Sequence, residues 1–218
     1  MTYKTYILAY LEKLSHCTPI YTNQIAEAVA EGYGIDRKKA ASATAVAVKR
    51  IIDDGDLPDL RCFQKGIYYR TTVTPFGEAG IDLGKLIADK YLLPDIGYES
   101  GMNLLHRMGL TTQVPNDRLI VTNAAKDCIR YDSRLGISIC PPRTPVSAKN
   151  KAYLQTLDAI DLLDKAPVDV QDPYKVIAAH IKENALQYET LLYFADRFYN
   201  QKTIIRIAHT AGQKGVEI

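Results

Sequence analysis

DRKKAASATAVAVKR, residues 36–50, is a helix-forming stretch with positive charge gathered at its two ends. Five cations, Arg37, Lys38, Lys39, Lys49 and Arg50, stand against one acid, Asp36. Asp36 reads as the N-cap, because a carboxylate there accepts hydrogen bonds from free first-turn amides and sits at the positive end of the helix dipole. Ala41, Thr44, Val48 and Ile51 recur at helical steps and predict the buried face, which turns Lys38, Ser42 and Lys49 outward. The many alanines favour helix and keep the outer surface low enough for the backbone to approach a partner closely. Just downstream, LRCFQKGIYYR, residues 60–70, predicts two short strands around a Lys65-Gly66 tip, with Arg61, Lys65 and Arg70 and no acid.

Upstream, Tyr3, Ile7, Tyr10, Leu11 and Leu14 predict a first helix with one buried face. After Pro19, Thr22 reads as the cap of a second helix whose face is Ile25, Ala26 and Val29 and which stops at Gly32 and Gly34. Helix, helix, turn, basic helix and basic-tipped hairpin, in that order, read as a winged helix-turn-helix with its third helix in the DNA major groove. Arg37, Lys38, Lys39, Ser42, Lys49, Arg50, Arg61, Lys65 and Tyr68 are the candidate DNA contacts. Each of these charges also suits the solvated face of an ordinary three-helix unit; the arrangement as a whole is what favours DNA. Asp53, Asp54, Asp56 and Asp59 lie between the two basic stretches and lower the sum without necessarily covering the faces that matter.

At 218 residues, with 47% hydrophobic and 24% charged, the chain is long and apolar enough for two domains with cores of their own. A net charge of +2 gives no global argument for nucleic acid, so the local clusters carry that reading. No apolar run approaches the roughly 20 residues that span a bilayer. MTYKTYILAYLEK carries Lys and Glu where a signal peptide keeps its apolar stretch, so a cytoplasmic protein with no membrane partner is expected. Cys17, Cys62, Cys128 and Cys140 form no C-x-x-C pair and the four histidines show no ligand spacing, so the thiols read as buried and reduced, with no metal and no cofactor expected.

Composition shifts after Thr74-Pro75-Phe76-Gly77, which places a boundary near residues 71–80 and divides the chain into 1–75 and 76–218. Amphipathic helices are expected over 82–93, ended by Pro94, and over 98–108, ended by Gly109. Strand-like runs at 118–122 and 135–140 precede Pro141, Pro142 and Pro145, and helical patterns follow at about 150–164, 173–182, 185–199 and 202–210. The expected fold class is mixed α/β: an N-terminal winged helix-turn-helix and a C-terminal α/β domain with a small sheet and several helices.

YESGMNLLHRMGLTTQVP, residues 98–115, resembles the helix followed by Leu-Gly-Leu-Thr-x-Gln-x-Pro of AbiEi-type antitoxins, the DNA-binding members of type IV toxin–antitoxin (abortive infection) systems. KGIYYR, 65–70, is similar to that family's wing, LQTLDAIDLL, 154–163, to a helix near the end of its second domain, and 172–209 to its closing helical segment. Lys49-Arg50 stands where the family often has Ser-Arg. The resemblance implies an antitoxin and transcriptional autorepressor whose first domain binds inverted repeats of double-stranded DNA in its own promoter. It implies a second domain that neutralises a cognate nucleotidyltransferase-like toxin without requiring a stable complex. Arg107 and Gln113, in and after the signature helix, are the candidates for that function. The signature also reads as an architectural corner, with Met102, Leu105 and Met108 on the core, Gly109 ending the helix and Pro115 fixing the exit.

Reaction chemistry is harder to assemble. In GEAGIDLGKL, 77–86, the Gly80–Gly84 spacing is one residue short of a phosphate loop and Leu86 replaces its hydroxyl, so a helix start near Asp82 is expected. Asp158, Asp161 and Asp164 recur at three-residue steps and read as the solvated face of a helix, while His106 reads as packing or bonding to backbone. With no nucleophile, base and orienting partner in evidence, no catalytic residue is assigned and a non-enzyme is expected. The alternative is an enzyme with its active site in the C-terminal domain, the winged helix serving as a docking module.

Overall fold

The computed structural model, which describes residues 2–212, is a mixed α/β chain that divides into two units after Leu86. In the first, α1 (Tyr3–Glu12) buries Ile7 and Leu11, and α2 (Thr22–Tyr33) buries Ile25, Ala26 and Val29. α3 (Arg37–Asp53) buries Ala40, Thr44, Ala47, Val48 and Ile51, and the three faces meet in one apolar cluster. β1 (Ile20–Tyr21), β2 (Leu60–Gln64) and β3 (Ile67–Arg70) form an antiparallel sheet in the order β1-β3-β2.

Local details depart from the sequence reading. Ala40, fully enclosed, takes the core position expected of Ala41, which is exposed. Thr22 does not cap α2: its backbone N–H and its hydroxyl both donate to the carbonyl of Gly66, at 3.0 and 3.2 Å, and tie the hairpin tip to the start of the helix. Gly34, at φ +64°, is the left-handed C-cap, whereas Gly32 lies inside α2, where a Cβ would meet the Tyr6 hydroxyl at 2.7 Å.

Two further strands, β4 (Val73–Thr74) and β5 (Gly77–Glu78), pair beyond β3. The Ala79 N–H donates to Thr72 and the Asp82 N–H to Cys17, at 2.8 and 2.6 Å, so residues 76–86 belong with the first unit rather than with the second. Asp82 then caps α4 (Leu83–Ile87), its carboxylate accepting from the Lys85 N–H, and the helix widens over Ala88–Leu92 to an i→i+5 turn closed by Leu93 on Ala88.

In the second unit, β6 (Gly97–Ser100), β7 (Arg118–Thr122), β8 (Arg130–Asp132) and β9 (Ile137–Cys140) form a sheet in the order β6-β7-β9-β8. β7 and β9 run parallel, Ile120 opposite Ile139, and the other pairs are antiparallel. Residues 98–100, expected to be helical, are strand paired with residues 119–121; Gly101, at φ +69°, turns the chain into α5 (Gly101–Arg107). Leu104 and Leu105 of α5 pack with α6 (Lys151–Leu162), α7 (Pro173–Glu183), α8 (Tyr188–Phe198) and α9 (Gln201–Gly212) around an apolar cluster. Gly109 leaves α5 at φ +73° with open space around it, and Met102 and Met108 pack against the cluster.

Two of the three aspartates, Asp158 and Asp161 of α6, are held by side chains of the fold, whereas Asp164, just beyond the helix, is exposed as a solvated face requires. Asp158 accepts hydrogen bonds from Ser100 and Tyr98 of β6, at 2.8 and 3.1 Å, and from Tyr199 at 2.7 Å. Asp161, 5% exposed, accepts from Lys165, Asn200 and Arg143 at 2.8–3.0 Å, and Arg206 of α9 meets Asp164 at 2.8 Å. Desolvation holds the Asp158 carboxyl above its usual range against the pull of its hydroxyl donors. Asp161 is also penalised by burial, but Lys165, Arg143 and Asn200 outweigh it and hold it below the usual range.

Asp158→Ala, which strips three hydroxyls of their acceptor, should destabilise the chain more than Asp158→Asn, by about 1–3 kcal/mol in urea denaturation. Because the raised carboxyl favours the neutral folded state, the wild type should lose stability as pH climbs above about 4, and Asp158→Asn should flatten that slope. A Cβ at Gly97 would stand 2.2 Å from the Tyr91 carbonyl, so Gly97→Ala should cost more than Gly109→Ala, whose penalty is the left-handed backbone alone, about 1 kcal/mol. Equal melting temperatures for these two variants would contradict the packing at β6.

Candidate nucleic-acid interface

Each residue of a helix turns about 100° from the last, so the core positions of α3 leave Lys38, Ser42, Ala45 and Lys49 on the opposite side, and all four are exposed. Ala41 flanks this stripe on one side; Lys39, Val46 and Arg50 flank it on the other, with Val46 52% exposed. Asp36 caps the helix, accepting from the Lys38 N–H at 2.9 Å, and fixes the start of the stripe. The Ser42 hydroxyl donates to the Lys38 carbonyl at 3.1 Å, which leaves its oxygen free to accept. Lys38, Lys39, Lys49 and Arg50 make no ion pair with a described residue, and Arg37 reaches Glu27 only at 3.9 Å.

The acids between the basic stretches are largely met from within the unit. Lys4 binds Asp54 and Asp56, at 2.5 and 2.6 Å, and Asp54 first among them holds its ammonium above the usual range. Asp59 takes the Nε and Nη2 of Arg70, both at 2.8 Å. The third nitrogen, Nη1, donates to the carbonyls of Glu12 and Leu14 at the end of α1, which has no basic residue in its own last turn. Burial works to raise the Asp59 carboxyl, but the Arg70 hydrogen bonds and charge outweigh it and hold it below the usual range.

The hairpin therefore offers less than its sequence suggested. Arg61 forks onto Glu78 of β5, at 2.7 and 3.2 Å, and donates to the Pro58 carbonyl at 2.6 Å. Tyr68 is half-buried against the helical cluster, and burial raises its hydroxyl. Both are committed within the fold, and of the three hairpin cations Lys65 alone is exposed and unpaired among the described residues. Val46 and Ala45 belong to the outward surface although the sequence reading did not single them out; shifting the core from Ala41 to Ala40 would have found them.

In the second unit Arg107 is also engaged, its Nη1 2.7 Å from the carboxylate of Glu99, which is 8% exposed and which Arg118 meets as well. Gln113 has an exposed side chain, while Thr111 and Thr112 fasten onto Asp169. The cysteines are free; Cys62 and Cys128 are exposed and Cys17 and Cys140 half-buried, contrary to the expectation that all are enclosed. Among the described residues no group of His, Cys, Asp or Glu could hold a metal ion, and no helix is long and apolar enough to cross a membrane. Comparison with family models, with curated proteins and with solved structures finds no match.

The Arg70 clamp gives a measurable expectation. Arg70, 13% exposed, joins Asp59 to the α1 carbonyls, and its loss would leave that partly exposed carboxylate with His16, 3.1 Å away, so Arg70→Ala should cost about 2 kcal/mol. Since the Asp59 carboxyl is lowered, its contribution is complete above about pH 4 and is lost as pH falls through its own lower pKa. Acid denaturation of Arg70→Ala should lack that component, and an acid limb identical to the wild type's would refute the clamp.

Proposed function

We propose that the first unit is a winged helix-turn-helix that binds double-stranded DNA with α3 in the major groove, and that the chain represses its own promoter as an antitoxin. The observation that carries the DNA reading is the outward stripe of α3, small residues between unpaired cations. Lys38 and Lys49 are eleven residues apart, about 16 Å along the helix axis, enough to reach phosphates on both walls of a groove about 12 Å wide. Between them Ser42 can bond a base edge and Val46 can meet a thymine methyl group. The order α1-β1-α2-α3-β2-β3 supports the winged reading, as does the tie between Gly66 and Thr22, which sets the hairpin tip beside α2.

The antitoxin part rests on the sequence resemblance alone. On that reading the second unit neutralises a nucleotidyltransferase-like toxin without a lasting complex, and exposed Gln113 suits the role better than Arg107, which already neutralises Glu99. For an enzyme, the nearest feature is the group formed by Asp158, Tyr98, Ser100 and Tyr199, whose hydroxyls are spent on the carboxylate.

A mobility-shift titration on the promoter upstream of the gene, against an unrelated duplex and over a range of salt, tests the reading. Replacing Lys38, Lys39 and Lys49 with Ala should lower the log–log salt slope by about 0.9 per lost phosphate contact. Arg61→Ala should leave that slope unchanged because its guanidinium is already held by Glu78. Ser42→Ala should erode discrimination between the two duplexes more than affinity. A folded triple variant with the wild-type slope would remove α3 from the interface.

A further inference from the structure

Beside the outward stripe, a groove of about 560 Å³ runs between the start of α1 and α3. Its apolar lining comes from Tyr3, Ala43, Val46 and Ala47, and its polar lining from Thr2, Lys4, Ser42 and Arg50. That volume is within the roughly 300–1,000 Å³ of small-molecule sites, and a mostly apolar wall with a few placed polar groups is their usual composition. The groove exists because α3 presents alanine at 43 and 47, one turn apart, where larger side chains would close it against α1. Tyr3 packs against Tyr33 with ring centroids 4.7 Å apart and the planes tilted by 60°, which gives the aromatic wall a neighbour to rest on.

The charges select the ligand. Lys4 is taken by Asp54 and Asp56, which leaves Arg50 as the cation of the lining with no ion pair to a described residue. We infer that the groove binds a small aromatic carboxylate or sulfonate, its ring against Tyr3, Val46 and the two alanines and its anionic group on Arg50. An anionic group gives this exposed guanidinium a partner at the mouth of the groove, whereas a cation would face it directly. Val46, Ser42 and Arg50 line the groove and also lie on or beside the stripe, so a bound ligand competes with DNA. This regulatory half rests on the reading of α3 as the DNA-binding helix; the binding half does not.

The experiment uses the full chain and 8-anilinonaphthalene-1-sulfonate, an aromatic sulfonate whose emission rises on burial. Wild type should bind one probe per chain, and Ala43→Leu, which fills the groove without changing charge, should lose at least tenfold in affinity. Saturating probe should weaken duplex retention by the wild type about fivefold or more, the lower end of ordinary coupling between sites, and leave that of Ala43→Leu unaltered. Tyr3→Ser, at an exposed position on the first turn, repeats the binding arm should Ala43→Leu melt early. Undiminished probe binding by both folded variants, or none by the wild type, would overturn the site. Probe binding lost in Ala43→Leu while the wild type ignores DNA at every salt would uphold the site and sink the DNA reading. Ala43→Leu that loses duplex and probe equally would mean that the nucleic-acid backbone itself fills the groove, and the effector proposal would fall.

Discussion

Arg70 sits where three parts of the first unit meet. From β3 its guanidinium holds Asp59, just ahead of β2, and takes the last carbonyls of α1, so one side chain locks the hairpin against the helices. The planar fork suits this work, because it satisfies a carboxylate with two nitrogens and still points a third at backbone. Removing so many polar groups from water is tolerable only when all of them are paired, and that condition fixes where β3 can lie. The tie from Thr22 to Gly66 then secures the other end of the same hairpin.

The same requirement recurs through the chain and sorts its cations. Arg61, Arg107, Arg118, Arg143 and Arg206 each meet a carboxylate of their own unit, and Arg143 also lies over the Tyr199 ring at 4.4 Å. Among the described residues of the first unit, those left without an ion pair are chiefly lysines: Lys13, Lys38, Lys39, Lys49 and Lys65, with Arg50. Net charge conceals this division, since +2 is a sum over groups of which many have already cancelled in space. A surface of flexible point charges fits phosphate neutralisation, in which geometry is loose and counterion release supplies the affinity.

The long helices were legible because their apolar residues repeat over several turns, and the hairpin because a Lys-Gly tip divides two β-rich runs. The strand at β6 was not: Tyr98, Glu99 and Ser100 precede a helix without a break in composition, and only Gly101 at positive φ marks the turn. β1, β4 and β5, of two residues each, are too short to show any period. Asp158 and Asp161 were misread because three-residue spacing describes a face and says nothing of what covers it. Apart from Lys165, four residues beyond Asp161, their partners lie at residues 98–100, 143 and 199–203, far off in sequence. Arg61 and Glu78 repeat the lesson at shorter range, as their pairing depends on a β4–β5 ribbon that the sequence did not announce.

Alanine is what lets α3 serve several neighbours at once. Ala40 is enclosed by the other helices, Ala41 and Ala45 keep the outward stripe low, and Ala43 and Ala47 leave the space beside α1 open. A larger residue at 40 would strain the core, at 45 would stand proud of the outward stripe, and at 43 would fill the neighbouring cleft. These demands fall on different faces, yet each is met by the same small side chain, so composition alone reports only that the segment is helix-prone. Which alanine answers to which surface is set by the rotation of the helix, and that rotation is fixed by Asp36 at its start and by Val48 and Ile51 in the core.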